Sequence, residues 1–248
     1  MIIDSVLLLL AGLVCGFLNV MAGGGSLLSV PLMIFLGIPG AVANGTNRIA
    51  ILAQNATAVV TFYRKGFSDI KLSLSLAACA LPGAIAGAYF AAGIDAENFN
   101  QLLAIIMVVV MIVMWFGDNK KTSVEPRPIT AKRLIVGHVL MVFAGFWGGF
   151  IQIGVGFILL PILHRVLGFD LVRSNMHKVF LVFAYTIAAL LIFSSQLQLA
   201  WVAGISLAIG NSIGGWYAAN HQIERGAGTI KWVLNSVLIV FIIKLLFF

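Results

Sequence analysis

The chain has 248 residues, of which 61% are hydrophobic and only 9% are charged. A water-soluble surface needs about 25% charged residues, so this composition excludes a soluble globular protein and indicates an integral membrane protein. The formal net charge of +7 does not indicate nucleic-acid binding, because the basic residues lie in short loops between apolar runs.

Apolar runs of about 20 residues, long enough to cross a ~30 Å hydrocarbon core as a helix, recur along the chain. They lie at 5–22, 44–63, 72–92, 99–117, 134–152, 174–195, 197–219 and 231–248. Helices are predicted because an open strand would leave unpaired backbone groups in lipid. The first run lacks a basic segment before it and carries Asp4, so we interpret it as a retained helix and not as a signal peptide.

Two shorter apolar pieces, at 27–37 and 157–168, each follow a glycine-rich break. They are too short to span comfortably alone. The sequence leaves open whether they cross the membrane or turn back within it. A polar, proline-containing stretch at 118–133 is the predicted linker between two halves, 1–117 and 134–248.

The two halves carry similar features in the same order. The matching features are Pro31 and Pro161, 130 residues apart, Gly37 and Gly168, 131 apart, Asn44 and Asn175, 131 apart, and Gly83-x-x-x-Gly87 and Gly210-x-x-x-Gly214, 127 apart. Several pairs in register indicate an internal repeat. The glycine pairs at the end of the set are typical of closely packed helices.

Loop charge predicts the orientation of the helices. Twelve of the 15 Lys and Arg residues lie in 64–71, 118–133, 164–173 and 220–231, which the positive-inside rule places in the cytoplasm. The termini and the loops 38–43, 93–98 and 194–198 are predicted outside. The loops predicted inside and those predicted outside can both be placed if each half is a helical hairpin with a glycine-rich break followed by three transmembrane helices. The two halves then have opposite orientations in the membrane. The predicted fold is an all-α polytopic membrane protein of two inverted-topology repeats.

The first candidate site is the glycine triplet Gly23, Gly24 and Gly25 with Ser26. The glycines allow a sharp turn, and Ser26 is predicted to cap the helix that follows, so that the positive end of this helix faces an anion. A plain hairpin turn is the alternative. The second break, Gln152 to Gly156, repeats the pattern and favours a site.

The second candidate site is polar and basic. It comprises Asn44, Thr46, Asn47 and Arg48, with Asn175, His177 and Lys178 as its counterpart in the other half. Snorkelling of Arg48 and Lys178 to the interface is the alternative. No acidic residue follows Asp4 in any predicted span, so the site favours negative charge. His177 titrates nearest to neutral pH and is the candidate for proton coupling, with a merely hydrogen-bonded histidine as the alternative.

The runs GFLNVMAGGGSLLSVPLMIFLGIPGAVANGTNRIAI and GGFIQIGVGFILLPILHRVLGFDLVRSNMHKVF resemble the sulfite exporter TauE/SafE family of membrane anion permeases. The resemblance covers essentially the whole chain. It implies transport of small sulfur-containing anions, with the two breaks and the two polar stretches lining the route. Gln152 and Ile153 depart from the first break, which has Ala22 and Gly23 at those places.

The resulting prediction is a secondary permease for a small anion, working by alternating access in the inner membrane. The predicted substrate-binding residues are Gly23, Gly24, Gly25, Ser26, Asn44, Thr46, Asn47, Arg48, Gln152, Gly154, Gly156, Asn175, His177 and Lys178. Its partners would be the anion and the lipid bilayer, without nucleic acid, metal or cofactor, and the protein would act as a monomer or homo-oligomer. A membrane-embedded enzyme or assembly factor and an anion channel are the alternatives.

Overall fold

The computed structural model describes residues 2–116 and 129–225, which contain helices and no strands. The helices of the first half are α1 (Ile2–Ala22), α2 (Ser26–Phe35), α3 (Gly40–Arg64), α4 (Ile70–Ala92) and α5 (Ala96–Phe116). Those of the second half are α6 (Ala131–Phe150), α7 (Val155–Pro161), a short π-helix (Ile162–Val166), α8 (Leu171–Gln196) and α9 (Trp201–Arg225). The predicted span 231–248 and most of the predicted linker lie outside the described residues.

Four of the described helices are long and apolar enough to cross a membrane by length and composition: α1, α4, α6 and α8. Helices α3 and α9 each have 25 residues, about 37 Å, and polar residues lower their mean hydropathy. Helix α2, with 10 residues, is only about 15 Å long. Together α7 and the π-helix are similarly short, so neither break is followed by a helix that could cross a ~30 Å core.

The helices of one half pack mainly against helices of the other half. Helix α1 runs along α9, and α6 runs along α4. Helices α3 and α8 contact each other, α3 also contacts α9, and α8 also contacts α4. The core is therefore shared by the two halves.

Glycines set the closest helix crossings, as the sequence predicted. A Cβ on Gly83 of α4 would lie 2.0 Å from the carbonyl oxygen of Val142 in α6, and one on Gly149 would lie 1.9 Å from that of Ala84. At the α1–α9 crossing, a Cβ on Gly210 would lie 2.0 Å from the carbonyl oxygen of Leu9. Only residues without a side chain permit this approach.

The loops gather at two ends of the helix bundle. At one end, the start of α1, the turn after α2 and the start of α9 line a shared cavity. At the other, Lys65 after α3 donates to the carbonyl of Asn220 in α9 (3.5 Å), and Ser75 in α4 contacts His138 in α6 (3.1 Å). The second end carries Arg64, Lys65 and Lys71, the basic residues at the connection between α3 and α4.

Candidate functional site

The two glycine-rich breaks contact each other. Gly23 has a φ of +79°, and a Cβ there would lie 2.2 Å from the Cα of Gly156. Gly154, at the start of α7, has a φ of +70°. Both breaks thus use backbone conformations that favour glycine, and the sequence pattern that paired them in the repeat also pairs them in space.

Gln152 adopts the left-handed conformation without being a glycine. Its φ is +63°, which costs about 1–2 kcal/mol in a residue with a Cβ. The side chain is buried, and its Oε1 accepts a hydrogen bond from Nη1 of Arg48 at 2.7 Å. The unusual backbone therefore directs the Gln152 carboxamide towards a buried cation.

Arg48 is completely buried and binds the last turn of α6. Its guanidinium donates to the carbonyl oxygens of Gly148, Gly149 (2.8 Å) and Phe150 (3.4 Å). It also donates to the Asn44 side-chain oxygen at 3.4 Å, and Asn44 in turn donates to the Phe150 carbonyl at 2.9 Å. A cation of the first half therefore caps the helix that ends at the break of the second half.

Lys178 makes the reciprocal contact, from the second half of the chain to a helix of the first half. Its ammonium is buried and donates to the carbonyls of Asn19 (3.2 Å) and Val20 (2.7 Å) in the last turn of α1. The carbonyls of Asn19 and Val20 precede those of Gly149 and Phe150 by 130 residues, the spacing of the two prolines. The two cations thus bind corresponding atoms of the two halves.

These contacts exclude snorkelling to the interface as the position of either cation, since both side chains are enclosed by protein. A helix C-terminus carries about −0.5 of an elementary charge, so each full positive charge is only partly neutralised by the helix end that it caps. Each break therefore has a basic side chain beside it, and a role of these side chains in binding an anion stays a prediction from the sequence.

Beside Arg48 lie buried polar atoms that have no hydrogen-bond partner among the described residues. They are Nε of Arg48, Nε2 of Gln152 and the hydroxyl of Tyr185. Tyr185 is fully buried, and its hydroxyl is packed against Gly148, where a Cβ would lie 2.6 Å away. We call these three side chains the Arg48 cluster. The Phe193 ring, with its centroid 5.3 Å from the guanidinium carbon, closes one side.

Every unpartnered atom in the Arg48 cluster can donate a hydrogen bond. The Gln152 orientation is fixed, because only its oxygen can accept from Arg48. Its NH₂ group then lies near the Tyr185 hydroxyl, without a hydrogen bond of ordinary geometry to the described residues. Leaving such buried donors unpaired costs about 1–3 kcal/mol each. An anionic oxygen placed among them would satisfy them.

Several predicted site residues instead hold helices together. Asn47 donates to the Ser26 hydroxyl (3.1 Å) and accepts from the Ser29 hydroxyl (2.7 Å), which ties α2 to α3. Thr46 accepts from the backbone N–H of Ala200 at the start of α9 (3.1 Å). The prediction that Ser26 caps α2 is wrong: the N-cap is Gly25, without a side-chain hydrogen bond, because Ser26 is already inside the helix and faces α3.

The contacts of Asn175 and His177 do not involve the Arg48 cluster. Asn175 donates to the carbonyl of Leu171 one turn earlier (3.3 Å). His177 shares a hydrogen bond with the Ser73 hydroxyl of α4 (2.8 Å) and packs on the Phe169 ring, with 4.7 Å between centroids. Proton coupling through His177 stays a prediction from the sequence.

The sequence patterns do not mark Tyr185, Asn19 or Asn211 as candidate site residues. A signal for Tyr185 existed: it follows the polar Gln54 by 131 residues, the spacing that relates Asn44 to Asn175. Asn211 lies inside the Gly210-x-x-x-Gly214 packing motif, and Asn19 shortly precedes the first glycine break. The glycines near Asn19 and Asn211 indicate helix packing, whereas Tyr185 lies in an apolar stretch without glycine.

The chain was compared with known proteins. The family model described as "Sulfite exporter TauE/SafE" matches residues 8–245. Among curated relatives, "Probable membrane transporter protein ORF9" of a Sinorhizobium species is 25% identical, over 96% of this chain and 91% of the relative. A "Probable membrane transporter protein" of Haemophilus influenzae is 26% identical, over 91% and 88%. "Probable membrane transporter protein YfcA" of Escherichia coli is 25% identical, over 97% and 88%.

No solved structure matches the chain. The relatives carry transporter names and align along nearly their whole length, which agrees with a multi-pass membrane transporter and not with an enzyme. The family match covers almost the full chain, including both breaks and the Arg48 cluster. The chain therefore belongs to the sulfite exporter TauE/SafE family of membrane transporters.

Proposed function

We propose that this protein is a secondary permease for a small sulfur-containing oxyanion or organosulfonate, and that the anion binds at the Arg48 cluster. The observation that carries this proposal is the group of unpartnered donors on Arg48, Gln152 and Tyr185, all buried beside a guanidinium. An oxyanion offers several acceptor oxygens and no donors, so it complements this group. The family's name supports sulfite and its relatives as the substrate class.

Two inverted repeats that alternate in access are the mechanism we propose. Support comes from the exchanged packing, with α1 on α9 and α6 on α4. It also comes from the cations, because Arg48 caps α6 while Lys178 caps the corresponding carbonyls of α1. In this arrangement α2 and α7 are re-entrant hairpin arms that meet at Gly23 and Gly156.

Movement of one repeat against the other would make and break contacts at the breaks. The Arg48 guanidinium joins α3 to α6, so sliding between these helices would change which of its donors are free. The anion would then be exposed to one side or the other while the caps hold each helix end. Proteins of this architecture commonly place their site where such broken helices meet.

The inner membrane is the proposed location, with the basic loops in the cytoplasm. Cysteine accessibility tests this orientation in a background with Cys15 and Cys79 replaced by alanine. Asp95→Cys and Gln196→Cys should be labelled from outside, and Ser68→Cys only after permeabilisation. Labelling of all three from one side would overturn the inverted arrangement.

Flux into proteoliposomes tests the function. We expect saturable uptake of at least one of labelled sulfite, thiosulfate and taurine. Arg48→Lys keeps the charge but cannot form the guanidinium's fan of hydrogen bonds, so it should lower flux at least about tenfold. Arg165→Ala, which removes an exposed arginine, should stay within about twofold, the effect expected of a rim charge. Inserted, folded wild-type protein without saturable flux of any of the three anions would refute the proposal.

A further inference from the structure

A second group of buried polar side chains lies between α1, α3 and α9. The side-chain nitrogens of Asn19 and Asn211 both donate to Oε1 of Gln54, at 3.1 and 3.3 Å. We call these three residues the amide cluster. Gln54 and Asn211 are 0% and 1% exposed, and the cluster adjoins Lys178, which binds the backbone carbonyl of Asn19.

The amide cluster leaves two polar atoms without partners among the described residues. They are Nε2 of Gln54, a donor, and Oδ1 of Asn211, an acceptor. Rotating all three amides by half a turn exchanges their roles and again leaves one donor and one acceptor. The cluster therefore offers a buried ligand one hydrogen-bond donor and one acceptor, whichever way the amides are assigned.

This chemistry differs from that of the Arg48 cluster, which offers donors. A fully ionised oxygen can use only donors. An acidic oxyanion that retains one proton carries an O–H group, which can give its hydrogen to one amide and accept from another. The ammonium of Lys178 supplies the positive charge that the ion's remaining oxygens require.

A cavity that opens at the protein surface lies along the same helix interface as the amide cluster. It has a volume of about 430 Å³ and lies between α3 and α9. Thr57 and Thr61 line its wall, and Arg64 and Lys65 stand at its basic end. Thr57 lies one helical turn from Gln54, so the cavity and the amide cluster are neighbours along α3.

We propose that the amide cluster with Lys178 is a second station for the transported solute, selective for a singly protonated oxyanion, and that the α3–α9 cavity is its entrance. This inference rests on the proposed permease function. The anion would pass between a station that accepts a protonated oxygen and one that accepts an ionised oxygen. When the anion moves to the Arg48 cluster its O–H bond breaks and the proton passes to water, and no other bond is made or broken.

Flux at two pH values tests the inference in reconstituted protein. Sulfite is compared where it is mainly singly protonated and where it is fully ionised, with thiosulfate as a probe that carries no proton at either pH. Asn211→Leu removes the free acceptor at similar side-chain size. We expect it to lower flux of protonated sulfite about fivefold or more, the effect of one hydrogen bond, while thiosulfate flux changes less than about twofold.

Gln54→Met, which removes the free donor of the cluster, provides a second test if Asn211→Leu fails to insert. Arg165→Ala is the control. Equal loss for both anions, or no loss for either, would overturn the inference and mark the cluster as a packing contact or a water site only. Wild-type protein that carries neither anion would refute the second station, and the proposed function falls with it only if taurine flux is absent as well.

Discussion

Arg48 and Lys178 occupy corresponding places in the two halves, yet their surroundings differ. Each donates to the final carbonyls of a helix that ends at a glycine-rich break. Arg48 also engages side chains, among them Gln152 and Asn44, and makes contacts with three consecutive carbonyls. Lys178 makes two hydrogen bonds to backbone carbonyls.

Arg48 and Lys178 share one structural role, the capping of a helix end, and differ in their contacts with other side chains. Capping a helix end needs only a cation, and either residue provides it. Arranging free donors around a ligand needs the planar guanidinium and a second side chain held at a fixed angle, which Gln152 provides at the cost of a left-handed backbone. The half-molecules thus share the helix caps and differ in the side chains that contact each cation, which is why we propose the Arg48 cluster as the site for an ionised oxygen.

The largest expected effect concerns the caps. Arg48→Met leaves the Gly148–Phe150 carbonyls without their buried donor and should lower the free energy of unfolding by about 3–5 kcal/mol. Lys178→Met removes two such bonds and should cost about 2–3 kcal/mol. Thermal unfolding of the detergent-solubilised protein measures both, with the exposed Arg165→Met as the control. Equal midpoints for Arg48→Met and Arg165→Met would show that the guanidinium caps nothing.

The next effect concerns the helix crossings, where the halves should behave alike. Gly83→Ala and Gly210→Ala each place a Cβ 2.0 Å from a backbone carbonyl of the facing helix, so each should destabilise by about 1–3 kcal/mol. Gly93→Ala is the matched control, because the nearest atom to a Cβ there is 3.7 Å away. If Gly83→Ala unfolds at the same temperature as Gly93→Ala, the close α4–α6 crossing is wrong.

The smallest effect on stability, with a clear effect on function, is expected at Tyr185. Its hydroxyl makes no hydrogen bond of ordinary geometry to the described residues and lies near the Gln152 amide, so Tyr185→Phe should leave the unfolding temperature nearly unchanged. Loss of the Tyr185 hydroxyl should raise the KM for the anion about tenfold or more, because a hydrogen bond to a charged group contributes about 1.5–3 kcal/mol. Flux kinetics measure this, with the exposed Tyr63→Phe as the control. An unchanged KM would place Tyr185 outside the site.

Much of the helical framework could be predicted from the sequence. The composition indicated a membrane protein, and the apolar runs located each described helix to within about six residues at either end. Gly83 and Gly210 predicted close helix crossings. Helix α6 begins at Ala131, inside the predicted linker, because Thr130 caps it by accepting from the N–H of Arg133. A polar start of this kind hides a helix from a hydropathy argument.

The partners of the site residues could be predicted less well. The sequence left open whether Arg48 is a site residue or snorkels to the interface, and its partners are backbone carbonyls about 100 residues away, which no side-chain pattern reveals. Ser26 looked like a helix cap, and its role in binding Asn47 depends on how α2 leans on α3. Tyr185 reads as one more aromatic residue in an apolar helix until the structure places it beside Gln152.

Binding of an anomalous scatterer tests most directly whether the Arg48 cluster holds the anion. Selenite has the shape and charge of sulfite, and its selenium can be located in an anomalous difference map of crystals. We expect a selenium peak beside the Arg48 cluster. The selenite oxygens should lie about 3 Å from Nε of Arg48, Nε2 of Gln152 and the Tyr185 hydroxyl. A selenite-loaded, transport-competent protein with no peak beside these three side chains would contradict the assignment.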